Sequence, residues 1–120
     1  MKTSDFVLRT PSGPVLKFTQ VSGAEAEGWG SFLVALSNAP VTGIVRVNDL
    51  DLQRWARFFV EMAENWKGWK GAREIRSIEE EICLAATTDS RGHVSIRVEL
   101  RDSPGDADWF AAGTLTIEAG

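Results

Sequence analysis

Tyrosine is absent from this chain of 120 residues, and cysteine and histidine occur once each, as Cys83 and His93. A single cysteine excludes an intrachain disulfide and fits a reducing compartment, so a cytoplasmic protein is expected. One cysteine and one histidine leave zinc and haem short of their usual ligands, and no cofactor or metal is expected. No apolar run approaches the roughly 18 residues of a membrane span. The opening "MKTSDFVLRTPSGPVLKF" has no long apolar run after its lysine, so it does not read as a signal peptide. Cations are the minority: 13 Lys and Arg stand against 17 Asp and Glu, a net charge of −4. That balance disfavours a nucleic-acid backbone or an anionic membrane as partner. A basic protein suits such a chain better, although the same charge also serves plain solubility.

What remains is an ordinary globular composition, 43% hydrophobic and 25% charged, in a length that suits one domain over residues 1–120. Five tryptophans, at positions 29, 55, 66, 69 and 109, are first a statement about packing. Residues 6–9 and 15–21 read as short strands around a Pro-Ser-Gly-Pro turn. "WGSFLVALS" (29–37) and "VTGIVRVN" (41–48) follow as an antiparallel hairpin about Asn38-Ala39-Pro40. The first of these is apolar on both faces and is expected to be central. Residues 52–66 carry a helical stripe, Leu52, Trp55, Ala56, Phe59, Met62, Ala63 and Trp66. Asp51 suits the N-cap with Leu50 as staple, and Gly68 and Gly71 suit a left-handed exit.

"EEEICLAATTD" (79–89) and "HVSIRVELR" (93–101) then predict a second hairpin across Asp89-Ser90-Arg91-Gly92. Ile82, Leu84 and Ala86 share one face, as do Val94, Ile96, Val98 and Leu100. "WFAAGTLTIEA" is a last strand with Leu115 and Ile117 inward. The sum is α+β: an antiparallel, strongly twisted sheet of about seven strands, with one amphipathic helix over residues 51–67 packed on it. A small β-sandwich with the helix at one end is the competing arrangement.

Reactive chemistry is scarce along the chain. A hydrolytic triad would have to use His93, which alternates outward at the start of a strand. Cys83 lies out of phase with Ile82 and Leu84 and has nothing nearby in sequence to lower its pKa. Glu79, Glu80 and Glu81 enter a strand in succession, point to alternate faces and read as a solvated charge run. Asp102, Asp106 and Asp108 surround a Pro-Gly turn without the ligand pattern of a calcium loop. "GWKG" lacks the spacing of a phosphate loop. Lys67, Lys70, Arg73 and Arg76 recur every three residues near Trp66 and Trp69, yet acidic neighbours argue against nucleic acid. The stretch "ENWKGWKGAREIRSIEEEI" therefore reads as the seam between helix and sheet.

From residue 66 onward, the tryptophan-glycine helix exit, Ser77-Ile78-Glu79, the alternating strand, Asp89 and Gly92-His93-Val94 resemble a family of small bacterial proteins of unknown function. Trp109 and the "LTIEAG" ending fit the same resemblance. The wider group includes WapI-like immunity proteins, which neutralise the toxin tips of contact-dependent or wall-associated toxins. Ile75 stands where a tryptophan is more usual and Ile78 where leucine is. The chain ends at Gly120, where relatives are expected to continue. The resemblance implies a non-enzymatic binding protein directed at a toxin domain. Asp102, Asp106, Asp108, Glu79 and Glu80 are its candidate acidic contacts, with Trp69 as aromatic anchor. The alternative is a self-associating module in which an uncovered sheet edge forms a homodimer. An enzyme or small-ligand binder is the third reading, and it needs a tertiary pocket around His93.

Overall fold

The computed structural model describes residues 5–11, 13–23, 30–49, 53–89, 91–101 and 109–118. Alternation of period two builds four strands before the helix and four after it. They are β1 (Asp5–Arg9), β2 (Val15–Gly23), β3 (Gly30–Asn38) and β4 (Val41–Asp49), then α1 (Gln53–Glu64), then β5 (Arg73–Arg76), β6 (Ile82–Thr88), β7 (His93–Arg101) and β8 (Phe110–Glu118). Every pairing is antiparallel and joins sequence neighbours, giving two four-stranded sheets in the orders β1-β2-β3-β4 and β5-β6-β7-β8. The expectation of one sheet of about seven strands is corrected here, and the sandwich alternative fits. The physical reason lies in two inner faces, each too apolar to face water. Leu16, Phe18, Phe32, Val34, Leu36, Val45 and Val47 line the first; Ile75, Leu84, Ala86, Ile96, Val98, Leu100 and Leu115 line the second. Each face covers the other, at roughly 25 cal/mol for every Å² of apolar surface removed from water.

The extra strand is β5. Its four residues carry three charges, so only Ile75 signals burial, and the Arg73–Arg76 stretch reads as a basic connection. Register explains its place: Ile75 pairs with Leu84, and both side chains are buried. The strand expected over 79–89 starts only at Ile82, because residues 77–81 form a turn. As expected, β3 is interior to its sheet, and the inward sets of β6 and β7 are buried. Gly92 takes the left-handed conformation that the β6–β7 turn needs, at φ 88°.

The helix closes one end of the sandwich. Trp55 packs edge-on against Phe32, with ring centroids 5.6 Å apart, and Phe59 meets Phe18 at 5.8 Å and Phe6 at 4.8 Å. Its buried residues are Trp55, Phe58 and Met62, with Phe59 partly buried. The expected stripe is thus rotated: Phe58 is buried, while Ala56 and Ala63, expected inward, are exposed, which leaves the larger side chains on the core side. Trp66 does not close the stripe. The helix stops at Glu64, and Trp66 lies past it, exposed, with the Lys67 ammonium 5.6 Å from its ring centroid. Asp51 and Leu50, expected to cap and staple the helix, lie outside the described residues.

At the other end of the sandwich β8 crosses the first sheet. A Cβ on Gly113 would contact Leu36, and one on Gly43 would fall 2.8 Å from the Trp109 ring. Gly43 is therefore where the indole lies directly on a backbone. Replacing Gly43 with valine should lower stability by about 1–3 kcal/mol through overpacking. Adding Trp109→Ala should recover part of that loss. Urea denaturation of both single variants and the double variant checks it, and additive losses would contradict the contact.

Candidate binding site

Two carboxylates sit in the seam between the sheets and hold one surface turn. Asp49, the last residue of β4, is almost completely buried. Its Oδ2 accepts from Arg54 Nη2 and from Trp55 Nε1, each at 2.7 Å, so one oxygen ties the sheet to two residues of the first helical turn. Its Oδ1 accepts from the backbone N–H of Ile78 at 3.3 Å. Arg54 also donates to the carbonyl of Arg76. Glu81 is the second buried acid: Oε1 accepts from Ser77 Oγ at 2.7 Å and Oε2 from the Asn48 backbone N–H at 3.5 Å. Ser77 Oγ in turn accepts from Ile82 N–H at 3.2 Å. Buried carboxyl groups need hydrogen-bond donors: Asp49 has them together with the Arg54 cation, and Glu81 has the Ser77 hydroxyl and the Asn48 amide.

The turn from Ser77 to Glu81 is the visible product of this network. Glu80 N–H donates to Ser77 C=O at 2.9 Å, and Glu80 adopts φ 61°, a left-handed conformation unusual for a residue other than glycine. Ile78 is 52% exposed, and Glu79 is exposed beside it. Arg101 N–H donates to Glu81 C=O at 2.8 Å, which docks the end of β7 against the turn. The run of three glutamates is thus not one solvated face: Glu79 is outside, Glu80 is at the rim and Glu81 is inside. Strand phase assigned them wrongly because they do not lie in a strand.

The candidate contacts divide between two places. Glu80 lies 3.5 Å from Arg101, with Glu79 exposed beside it in the turn, and Asp102, Asp106 and Asp108 follow Arg101 in sequence. Those three aspartates lie outside the described residues. Trp69 is at the opposite end of β6. Its Nε1–H donates to Ala86 C=O at 3.0 Å, and its backbone N–H donates to Thr88 Oγ1 at 3.2 Å. The Arg73 guanidinium lies 5.5 Å from its ring centroid. Half-buried and bonded in this way, Trp69 fastens the helix exit to the second sheet. About six residues of strand, roughly 20 Å, part it from Glu80.

Beside the turn, the outer face of the second sheet bears a shallow hollow of about 240 Å³ with Cys83 and Ala85 at its floor. Its rim is a chain of ion pairs. Glu80 reaches Arg76 at 3.7 Å and Arg101 at 3.5 Å, and Arg101 reaches Glu99 at 3.4 Å. Burial raises the Cys83 thiol above its ordinary pKa, with Arg76 and Arg101 opposing and Glu80 and Glu99 reinforcing. His93 sits on the exposed hairpin, its Nδ1 2.7 Å from Asp89 Oδ2. The Arg91 backbone N–H, helped by His93, holds the Asp89 carboxyl below the usual range. Among the described residues no three of His, Cys, Asp and Glu are grouped to hold a metal ion, and no helix is long and apolar enough to cross a membrane.

Residues 7–120 match a family described as a family of unknown function, DUF6228, and the chain belongs to it. No curated protein and no solved structure matches the chain.

Asp49→Ala should strand the Trp55 and Ile78 N–H groups and cost about 2–4 kcal/mol. Glu80→Ala, on the exposed rim, should change stability by no more than about 1 kcal/mol. Chemical denaturation of the two variants compares them directly. A raised thiol pKa leaves less thiolate at neutral pH. Cys83 in the folded protein should therefore be alkylated more slowly than a free cysteine, with a rate midpoint at higher pH. Iodoacetamide kinetics across pH 7–10 give the readout, and a faster-than-free thiol would contradict the burial argument.

Proposed function

We propose that this chain is a non-enzymatic binding protein of the immunity type, which neutralises a bacterial toxin domain by occupying a basic surface on it. The observation that carries the reading is the Ser77–Glu81 turn. An exposed apolar side chain, Ile78, is flanked by Glu79 and Glu80 on a loop fixed from beneath by two buried carboxylates. A loop already held in one conformation loses little entropy on binding, which is how a small rigid protein binds tightly with few contacts. The apolar centre supplies burial, and the acidic flanks steer and orient a basic partner. Asp102, Asp106 and Asp108 are the further acidic contacts of this reading. The partial burial of Trp69 favours a supporting role for it, away from the contact.

The test is a pull-down with the tagged chain from its source organism, followed by the affinity of any toxin-like partner for variants. Ile78→Asp together with Glu79→Lys should weaken binding by at least tenfold, while the urea midpoint stays near that of the wild type. Unchanged affinity would show that the turn is not the contact. Recovery of a nucleic acid, or of no basic protein, would count against the toxin-directed reading.

A further inference from the structure

The outer face of the second sheet carries a charge pattern with a symmetry of its own. On β5, Glu74 and Arg76 are two residues apart on the same face and pair at 3.4 Å. On β7, Arg97 and Glu99 do the same, also at 3.4 Å. Between them β6 presents only Ala85 and Cys83. The register sets Glu74, Ala85 and Arg97 in one row, and Arg76, Cys83 and Glu99 in the next. Because β5 and β7 run in the same direction, their ion pairs point oppositely. The four charges form a square in which each acid has a base beside it along the strand and another across β6, two strand spacings or roughly 10 Å away. Beyond β7 the surface continues with short side chains, Ala112 and Thr114 of β8.

Such a square is complementary to itself. Turning a second copy over about a two-fold axis in the plane of the sheet, along the strands, brings Arg76 opposite Glu99 and Glu74 opposite Arg97. Turning it about the perpendicular in-plane axis brings Arg76 opposite Glu74 and Arg97 opposite Glu99. Either rotation sets acid on base at all four positions, and the net charge of the square is zero, so the patch escapes the repulsion that the whole chain's −4 imposes. We propose that this face is a self-recognition surface, on which a second copy of the chain docks face to face. The long guanidinium and carboxylate arms of each copy reach over the short floor residues of the other, leaving a wet centre at the hollow. The inference does not depend on the toxin-directed role of the turn.

Sedimentation of the intact chain over a concentration series tests it. The wild type should shift towards twice 13.2 kDa at roughly a few hundred micromolar, as expected of a small and polar interface. It should return to monomer in high salt. Arg76→Glu with Arg97→Glu makes the square wholly acidic, and Glu74→Lys with Glu99→Lys makes it wholly basic. Each variant alone should be monomeric, and an equimolar mixture should form a one-to-one complex at least tenfold tighter than the wild-type dimer. A wild type that stays monomeric would overturn the proposal. So would a like-charged variant that dimerises as the wild type does, or a mixture that does not associate. Circular dichroism establishes that each variant folds. If one does not, the mass of the wild type at low and high salt decides alone.

Discussion

The Asp49 carboxylate is the joint on which the two halves of the molecule meet. It ends the last strand of the first sheet, and its partners are a guanidinium and an indole of the helix and a backbone amide of the second sheet's first turn. Taking a carboxylate out of water costs several kcal/mol unless its oxygens find donors, so burial here depends on partners such as these. Hydrophobic contact between the sheets supplies the bulk of the stability but is indifferent to small slides. The directional bonds of Asp49, and of Glu81 to Ser77 and Asn48, fix which residues of the two sheets lie opposite. The architecture follows from apolar alternation, and its alignment follows from two acids.

That division of labour also separates inside from outside at one place on the surface. The Ser77–Glu81 turn is held by buried polar groups, while Ile78 and Glu79 are turned to solvent. Exposed ion pairs such as Arg76 with Glu80 add little to stability. Their significance on the outer face is one of arrangement, which sets the pattern of charge an approaching surface meets.

Much of the architecture was legible in the residues, because period two and period 3.6 are written locally. The alternation of Val94, Ile96, Val98 and Leu100 gave β7 directly, and Gly92 marked its turn. The sandwich stood only as the alternative to a single sheet, since nothing in a strand's own sequence states that the strand after a helix will decline to pair with the strand before it. Phe58 and Phe59 are adjacent and both turn towards the core, Phe59 onto Phe6 and Phe18 and Phe58 buried beside it, a tertiary fact that helical periodicity does not state. Glu81 was misread for a related reason. Its neighbours in sequence are acidic, but its neighbours in space are Ser77 and Asn48. The signal that could have found it is positional: three glutamates directly before a fully buried Ile82 cannot all stay in water.

Among the described residues, every strand hydrogen-bonds only to the strand before or after it in the chain. Within each four-strand ribbon the pairings therefore close over short stretches of chain. The contacts of greatest sequence separation are those between the two ribbons, across the helix that joins them, and each ribbon's apolar face is buried only when they meet.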